Sequence, residues 1–468
     1  MNIVYRKKFE EYQNFLARLL QARDAYESEN CEYVLPSEDQ TPAKTVTFQV
    51  TDDCNLRCTY CYQINKGKRI MSFDVAKKFV DILIEDSYKD DTFVSLKTTP
   101  GIVIEFIGGE PLLEIELIEK IYEYFRWRMI SENHPWANNH ILSMISNGVE
   151  YFNPKVQEFL AKHKNHLSFG ISLDGCKPLH DMCRVFPDGL GSYDIAEAGC
   201  KHYKTHYDEK MLTKMTIAPE NITWTFEAFK NLVDLGYSVI HANCVYEKGW
   251  TINHGTILYN QLKQVTDYIL EHDLENSLEL TLFAENACIP CDENDNKNYC
   301  GSTGCMLACD PDGVIAPCIR FMKSSLGENL GDFSIGHTRS GIGVEEQDKE
   351  NIDLLDSITR RSQSTDECWN CPVGLGCGWC TAYNYQETGS PDKRCTYICW
   401  MHRARSLANV YYWNKVYEKN NETKVFNLYL EKEHALQLIS EEEYNMLLEL
   451  AGRTIPEDNY EEDMDKEN

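Results

Sequence analysis

No stretch of this 468-residue sequence approaches the run of apolar residues needed to cross a bilayer. Nor does it open with a basic patch followed by an apolar core. The first residues, MNIVYRKKFEEYQNFLARLL, are charged and helix-like, so no secretory signal is expected and the expected compartment is the cytoplasm. Positive charge is scarce as well: 46 lysines and arginines stand against 74 aspartates and glutamates, a net charge of −28. That deficit argues against nucleic acid and against a membrane surface as partners, because both are bound through a cationic face. Basic or polar peptides remain possible partners. With 43% hydrophobic and 26% charged residues, the composition is that of a globular protein long enough for two or three domains.

Cysteine, by contrast, is abundant, with twenty residues. In a reducing compartment thiols at this density serve as metal ligands rather than disulfides. Three lie within TDDCNLRCTYCYQ (51–63), where Cys54, Cys58 and Cys61 are spaced C-x3-C-x2-C. A closed structural site uses four protein ligands, whereas a catalytic centre keeps a coordination position open. Three thiols on one loop therefore point to an open metal centre.

An N-terminal helix is expected from about Tyr5 to Glu27, followed by a linker with Pro36 and Pro42 to residue 45. Six β-rich runs come next: VTFQV (46–50), IVIEFI (102–107), ILSMI (141–145), LSFGISL (167–173), LTKMTI (212–217) and SVIHANCV (238–245). They alternate with helix-patterned segments such as FDVAKKFVDILIED, for which Ser72 is the expected N-cap. Six β–α units predict a parallel sheet. An open six-unit relative of the (βα) barrel and a doubly wound sheet both satisfy the spacing. Just after five of the runs come TDDCN, GGEP, SNG, DG and APEN. In parallel α/β folds such loops converge on one cavity at the C-terminal strand ends.

From 286 to 400 cysteine, glycine and proline become frequent and periodicity fades, as in a domain folded around metal. The remainder, 401–468, holds the helical segment RARSLANVYYWNKVYEKN, a unit capped by Ser440 and an acidic tail. CGSTGCMLACDPDGVIAPC (300–318) and CWNCPVGLGCGWC (368–380) supply most of the thiols, with Cys395 and Cys399 beyond. Eight such thiolates suit two zinc sites or two iron–sulfur clusters.

The loop CNLRCTYCY, placed after a strand, resembles the cluster loop of the radical SAM enzymes, and the resemblance extends over roughly residues 45–400. It implies a partial (βα)6 TIM-like barrel over 46–285. It also implies a [4Fe–4S] cluster on Cys54, Cys58 and Cys61 whose open iron is chelated by the amino and carboxylate groups of S-adenosyl-L-methionine (SAM). In that family the reduced cluster passes an electron to the sulfonium and a 5′-deoxyadenosyl radical is released. Gly108-Gly109-Glu110-Pro111 resembles the family's GGEP element, in which the small glycines admit the methionine moiety and Glu110 meets its ammonium. Asn147 in SNG and Ser172 in SLDG match positions that contact the ribose or carboxylate, while Asp174 caps or orients a loop. Arg184 in HDMCR pairs with the SAM carboxylate or with a structural partner; Tyr60 lies near the adenine or is simply a packed aromatic.

The cysteine-rich region, 286–400, resembles the SPASM domain of peptide- and protein-maturing radical SAM enzymes, which carries two auxiliary [4Fe–4S] clusters. The family pattern places one cluster on Cys300, Cys305, Cys318 and Cys380, and the other on Cys368, Cys371, Cys377 and Cys399, with Cys395 as the alternative last ligand. The sequence departs from that pattern in one place, since two residues rather than three separate Cys377 and Cys380.

The resemblance implies an oxidoreductase acting on a precursor peptide, with an external electron donor such as flavodoxin or ferredoxin. Sulfatase-maturating members carry an acidic residue directly after the cysteine matching Cys318; here Ile319-Arg320 follows. GSTGCMLACDPDGVIAPCIRF looks more like the maturases that build cysteine thioether crosslinks in ribosomally made peptides. Epimerisation, carbon–carbon crosslinking and sulfatase maturation are the alternatives within the family. An epimerase would need a spare thiol such as Cys183, Cys244 or Cys309. An iron–sulfur electron-transfer protein is the non-enzymatic alternative, and it leaves GGEP unexplained. The 45 residues before the first strand are too few for a winged helix–turn–helix. Leader binding is therefore expected from a separate protein, from about 425–455, or from a sheet edge.

Overall fold

In the first strand, β1 (Lys44–Thr51), Val46, Phe48 and Val50 are fully buried at every second position, the period of a pleated strand. The computed structural model describes residues 44–452 apart from 209–212, 247–248, 297, 299, 303, 328–329 and 396–397. The expected Tyr5–Glu27 helix, its linker and the acidic tail lie outside the described residues. All six β-rich runs form strands. After β1 come β2 (Ile102–Gly108), β3 (His140–Ser146), β4 (Leu167–Ile171), β5 (Thr213–Ile217) and β6 (Val239–Cys244). Between and after them lie α1 (Phe73–Ser87), α2 (Ile115–Ser131), α3 (Pro154–His163), α4 (Lys177–Cys183), α5 (Tyr193–His206), α6 (Thr225–Asp234) and α7 (Ile252–Glu271).

Helix α1 shows how the layers join. The Ser72 hydroxyl accepts from the Val75 amide at 3.2 Å and starts the helix. Ala76, Phe79, Val80, Leu83 and Ile84 then bury one stripe. Phe79 meets Phe48 of β1 edge-on, with ring centroids 5.0 Å apart and planes at 66°. The outer face of the sheet is thus sealed by helices. The molecule has the α/β architecture of a TIM-like partial barrel, with a cysteine-rich C-terminal part.

The six strands do not form one hydrogen-bonded sheet. β1–β2–β3–β4 pair in parallel, whereas β5 pairs with β6, and β6 with β7 (Glu279–Leu280), in a separate three-stranded sheet. Between β4 and β5 side chains replace the ladder. Thr213 Oγ1 donates to the Leu173 carbonyl at 3.3 Å, and the Thr216 amide donates to Asp174 Oδ1 at 3.1 Å. The chain leaves the sheet after β4 because Gly175, with φ +105°, turns it onto α6, where a Cβ would fall 2.4 Å from that of Ala228.

On its other edge β1 pairs in parallel with β8 (Met306–Cys309), in register from Thr45 with Met306 to Phe48 with Cys309. Antiparallel β9 (Val314–Ala316), β10 (Gly336–His337) and β11 (Gly341–Ile342) extend that edge, giving an eight-stranded sheet ordered β11-β10-β9-β8-β1-β2-β3-β4. Helices α8 (Glu346–Ser357), α9 (Thr381–Thr388), α10 (Cys399–Lys419) and α11 (Glu441–Ala451) follow, the last capped by Ser440 at 3.2 Å from the Glu443 amide. α10 lies along α7, and Tyr411 Oη donates to Asp267 at 2.7 Å. Among the described residues no helix is long and apolar enough to cross a membrane.

Candidate functional site

The cluster loop leaves the C-terminal end of β1 and is held by its neighbours' backbones. The Arg57 amide donates to the Val185 carbonyl at 2.7 Å and the Thr59 amide to the Cys183 carbonyl at 3.0 Å. Behind the loop, Asp52 receives Arg69 Nε at 2.6 Å and Gln49 Nε2 at 2.8 Å. The thiols of Cys54, Cys58 and Cys61 lie within electrostatic reach of one another. Burial pushes the Cys58 thiol up to about 11, an effect opposed by the nearby Arg184. Lys66 Nζ donates to Cys61 Sγ at 3.4 Å and also lowers the cost of charging Cys54, whose thiol burial raises. Two cations thus offset thiolate charge, as a thiolate-ligated centre requires.

The glycines of GGEP press on this loop. A Cβ at Gly109 would stand 2.3 Å from the Asp53 carbonyl oxygen, and one at Gly108 would stand 2.9 Å from Thr51 Cγ2. The Gly109 and Glu110 amides donate to the carbonyls of Thr51 and Asp53 at 2.9 and 2.8 Å. Gly109→Ala is therefore expected to cost about 1–3 kcal/mol by overpacking and to displace Asp53 beside Cys54. A denaturation midpoint and the iron bound per chain test this, and parental values for both would contradict it.

Glu110 is buried and joins two strand ends. It accepts from Ser146 Oγ at 2.7 Å, the Asn147 amide at 2.8 Å and the Leu112 amide at 3.1 Å. Burial raises its carboxyl to about 7 against the pull of those donors. Asn147 in turn donates to Asn55 Oδ1 at 2.7 Å, and its Nδ2 lies 3.8 Å from Cys54 Sγ. The Ser172 amide donates to the Ser146 carbonyl at 2.8 Å; its hydroxyl has no partner among the described residues. Loops far apart in sequence therefore meet at one rim, above the ends of β1 to β4.

Arg184 and Tyr60 meet at Asp174. Arg184 Nε and Nη2 donate to the two Asp174 oxygens at 2.8 and 3.2 Å, Tyr60 Oη donates to Oδ2, and the guanidinium stacks 5.5 Å from the Tyr60 ring. Burial pushes the Asp174 carboxyl up, but Arg184 outweighs it and holds the group below the usual carboxylate range. Arg184 has a structural partner here. Asp174, expected to cap or orient a loop, ties residues 60, 184 and 216 together.

The remaining thiols form two groups. Cys300 and Cys380 both lie within electrostatic reach of Cys318, and Cys300 Sγ lies 3.3 Å from Thr381 Oγ1, next to Cys380. Cys305 is exposed at the end of the same turn, beside Lys44. In the second group Cys368, Cys371, Cys377 and Cys399 face one another, with Arg394 Nη2 3.2 Å from Cys377 Sγ. Cys395 points elsewhere, to Asn384 Oδ1 at 3.4 Å and the Tyr383 carbonyl at 3.6 Å. One feature not read from sequence is the pair Cys288 and Cys291, itself C-x2-C. Cys291 Sγ lies 3.4 Å from where a Cβ on Gly374 would sit, inside the Cys371–Cys377 loop.

Among the described residues no three His, Cys, Asp or Glu side chains are grouped so as to hold one metal ion. A cubane takes one thiolate per iron, so its ligands need not converge on one point. The donor sets, all soft sulfur with cations beside them, fit such clusters.

A model of a 4Fe–4S single cluster domain matches residues 44–164. An uncharacterized protein of Methanocaldococcus jannaschii is 30% identical over 197 residues, which is 42% of this chain and 61% of that relative, so the chain matches less than two thirds of its length. A cysteine-type anaerobic sulfatase-maturating enzyme of Clostridium perfringens is 22% identical, covering 59% of this chain and 74% of its own. The antilisterial bacteriocin subtilosin biosynthesis protein AlbA of Bacillus subtilis is 23% identical, covering 61% and 57%. The solved structure of anSMEcpe with bound AdoMet and Kp18Cys peptide superposes with a TM-score of 0.57 at 18% identity, over 81% of this chain and 100% of that one. Cluster loop, matched domain and shared architecture agree: the chain is similar to radical SAM maturases and has the fold of the SPASM-type enzymes among them.

Proposed function

We propose that the chain is a peptide-modifying radical SAM oxidoreductase that installs cysteine thioether crosslinks in a ribosomally made precursor peptide. The observation that carries this reading is the cluster loop at the end of β1, with GGEP and SNG hydrogen-bonded onto it. Three thiols on that loop hold a [4Fe–4S] cluster and leave one iron for SAM. When bound, that pair supplies a hydrogen-abstracting 5′-deoxyadenosyl radical. Within the rim Gly108, Gly109, Glu110, Asn147 and Ser172 line the SAM side, and Tyr60 and Arg184 the side toward β5. Cys300, Cys305, Cys318 and Cys380, and separately Cys368, Cys371, Cys377 and Cys399, hold two auxiliary clusters, for electron relay and substrate ordering. The boundaries 46–285 for the barrel and 286–400 for the SPASM domain belong to this reading. So do a flavodoxin or ferredoxin as donor and a cytoplasmic location.

Relatives that mature sulfatases and a relative in bacteriocin biosynthesis both support a peptide or protein substrate. Sulfatase maturation is the second reading, favoured by the first of these; Ile319-Arg320 after Cys318 weighs against it. The test is anaerobic incubation of reconstituted protein with SAM, a reductant and each small cysteine-containing peptide found to be encoded beside its gene. A loss of two hydrogens per bridge, localised to cysteine by fragmentation, is expected. An unchanged mass would turn the reading to epimerisation.

A further inference from the structure

Helix α9 begins on one cysteine group, and the chain after it returns to the other. Its N-cap is Cys380, whose sulfur accepts from the Tyr383 amide at 3.4 Å. It ends at Gly389, where a φ of +74° makes the left-handed stop that glycine adopts without strain. The loop beyond is pinned at two points by a fully buried side chain of the same helix. Asn384 Nδ2 donates to the Pro391 carbonyl at 3.2 Å, and Asn384 Oδ1 accepts from the Cys395 amide at 3.0 Å. Arg394 is held between those points.

Its guanidinium meets three successive residues of Cys377-Gly378-Trp379-Cys380, the short link that joins the two groups. Nη2 donates to Cys377 Sγ at 3.2 Å and to the Gly378 carbonyl at 3.4 Å, and the guanidinium carbon stands 5.7 Å from the Trp379 ring centroid. Arg394 also lies within electrostatic reach of Cys368 and Cys399, and Arg403 of α10 within reach of Cys371 and Cys399. In the other group Cys300 Sγ meets two hydroxyls, Ser302 Oγ at 3.2 Å and Thr381 Oγ1 at 3.3 Å. A guanidinium does not lose its proton in a protein, so the charge at Cys377 is permanent. Reducing a cluster held by four thiolates adds an electron to a group already negative, and both net charge and hydrogen bonds to its sulfurs set how easily that happens.

We propose that Arg394 sets the reduction potential of the cluster held by Cys368, Cys371, Cys377 and Cys399, raising it through its charged hydrogen bond to Cys377. This rests on the reading of two auxiliary clusters and gives one of them a named potential-setting residue. Arg394 ligates nothing. It acts through Cys377, and because Asn384 fixes its loop the N–H is aimed at the sulfur in advance rather than recruited on reduction.

The test reads potentials, not turnover. Full-length protein carrying Cys54→Ala, Cys58→Ala and Cys61→Ala together is reconstituted anaerobically, so that only the auxiliary groups hold clusters, and is titrated with dithionite while paramagnetic resonance follows each reduced signal. The signal lost in Cys371→Ala belongs to the group beside Arg394, and the one lost in Cys300→Ala to the other. In Arg394→Met the first midpoint is expected to become more negative by about tenfold in its one-electron equilibrium, or ~59 mV. The second should move by less than half as much. Arg394→Lys, which keeps the charge, should recover part of the shift. Arg394→Gln keeps an N–H donor without the charge and should show a negative shift too; it is read in place of Arg394→Met should that variant lose iron. Unchanged midpoints in both neutral variants, or equal movement of the two clusters, overturn the proposal. Protein that takes up no auxiliary iron would strike the cluster reading itself and this proposal with it, whereas failure of SAM cleavage or of crosslinking leaves the result standing.

Discussion

Cys58→Ala is expected to reduce 5′-deoxyadenosine formation from SAM to the level of a protein-free control. Cys58 is the middle thiol of the three, and two remaining ligands cannot replace it from the same loop. The thiol of Cys183, beside the loop, is buried and engaged by Thr59 and by Asn221, whose Nδ2 lies 3.6 Å from its sulfur. The auxiliary groups draw on other cysteines, so the variant should retain most of its iron while losing SAM cleavage. Anaerobic assay with a strong reductant, iron analysis and chromatography of the nucleoside give the answer together. Deoxyadenosine formation at even a tenth of the parental rate would remove the three-cysteine loop from its assigned role.

Asp174→Ala is expected to have the largest effect on stability. It strips a bidentate partner from Arg184, which is only 8% exposed, and leaves that charge uncompensated in the interior. Removing one member of a buried pair costs about 3–5 kcal/mol, a large share of the roughly 5–15 kcal/mol that holds a typical domain. It also removes the acceptor for Tyr60 and for the Thr216 amide, and so unfastens β4 from β5 where no ladder joins them. Asp174→Asn together with Arg184→Met, which removes both charges, should recover part of the loss. Because Arg184 holds the Asp174 carboxyl below its ordinary value, the contribution is full at neutral pH and fades only in acid, as pH falls through the folded value. Urea denaturation under anaerobic conditions measures all of this. An Asp174→Ala midpoint indistinguishable from the parent's would show that the pair is not holding the seam.

The two results bear on how much the sequence disclosed. The six barrel strands were readable as short β-rich apolar runs that alternate with helix-patterned segments, five of them followed by loop signals. The Ser72 and Ser440 caps were readable for a local reason, a hydroxyl just before an amphipathic run. The seam between β4 and β5 was not, since both segments look like ordinary strands and only the course of the chain after Gly175 separates them. β8 was missed because MLAC is four residues within a cysteine-rich stretch, too short for any period to stand out. At the site the three-cysteine spacing was legible. The role of Asp174 was not, because its partners come from positions 60, 184 and 216.

The pairing of β8 with β1 also limits how the chain can be dissected. A fragment ending at residue 285 would lose β8 and bare the flank of β1, presenting unsatisfied amides and carbonyls over Thr45–Phe48. Bare edges of this kind template association with other chains. Such an excised barrel should come out of cells as aggregate, and co-expression of the missing half should rescue it by completing the strand order rather than by supplying iron.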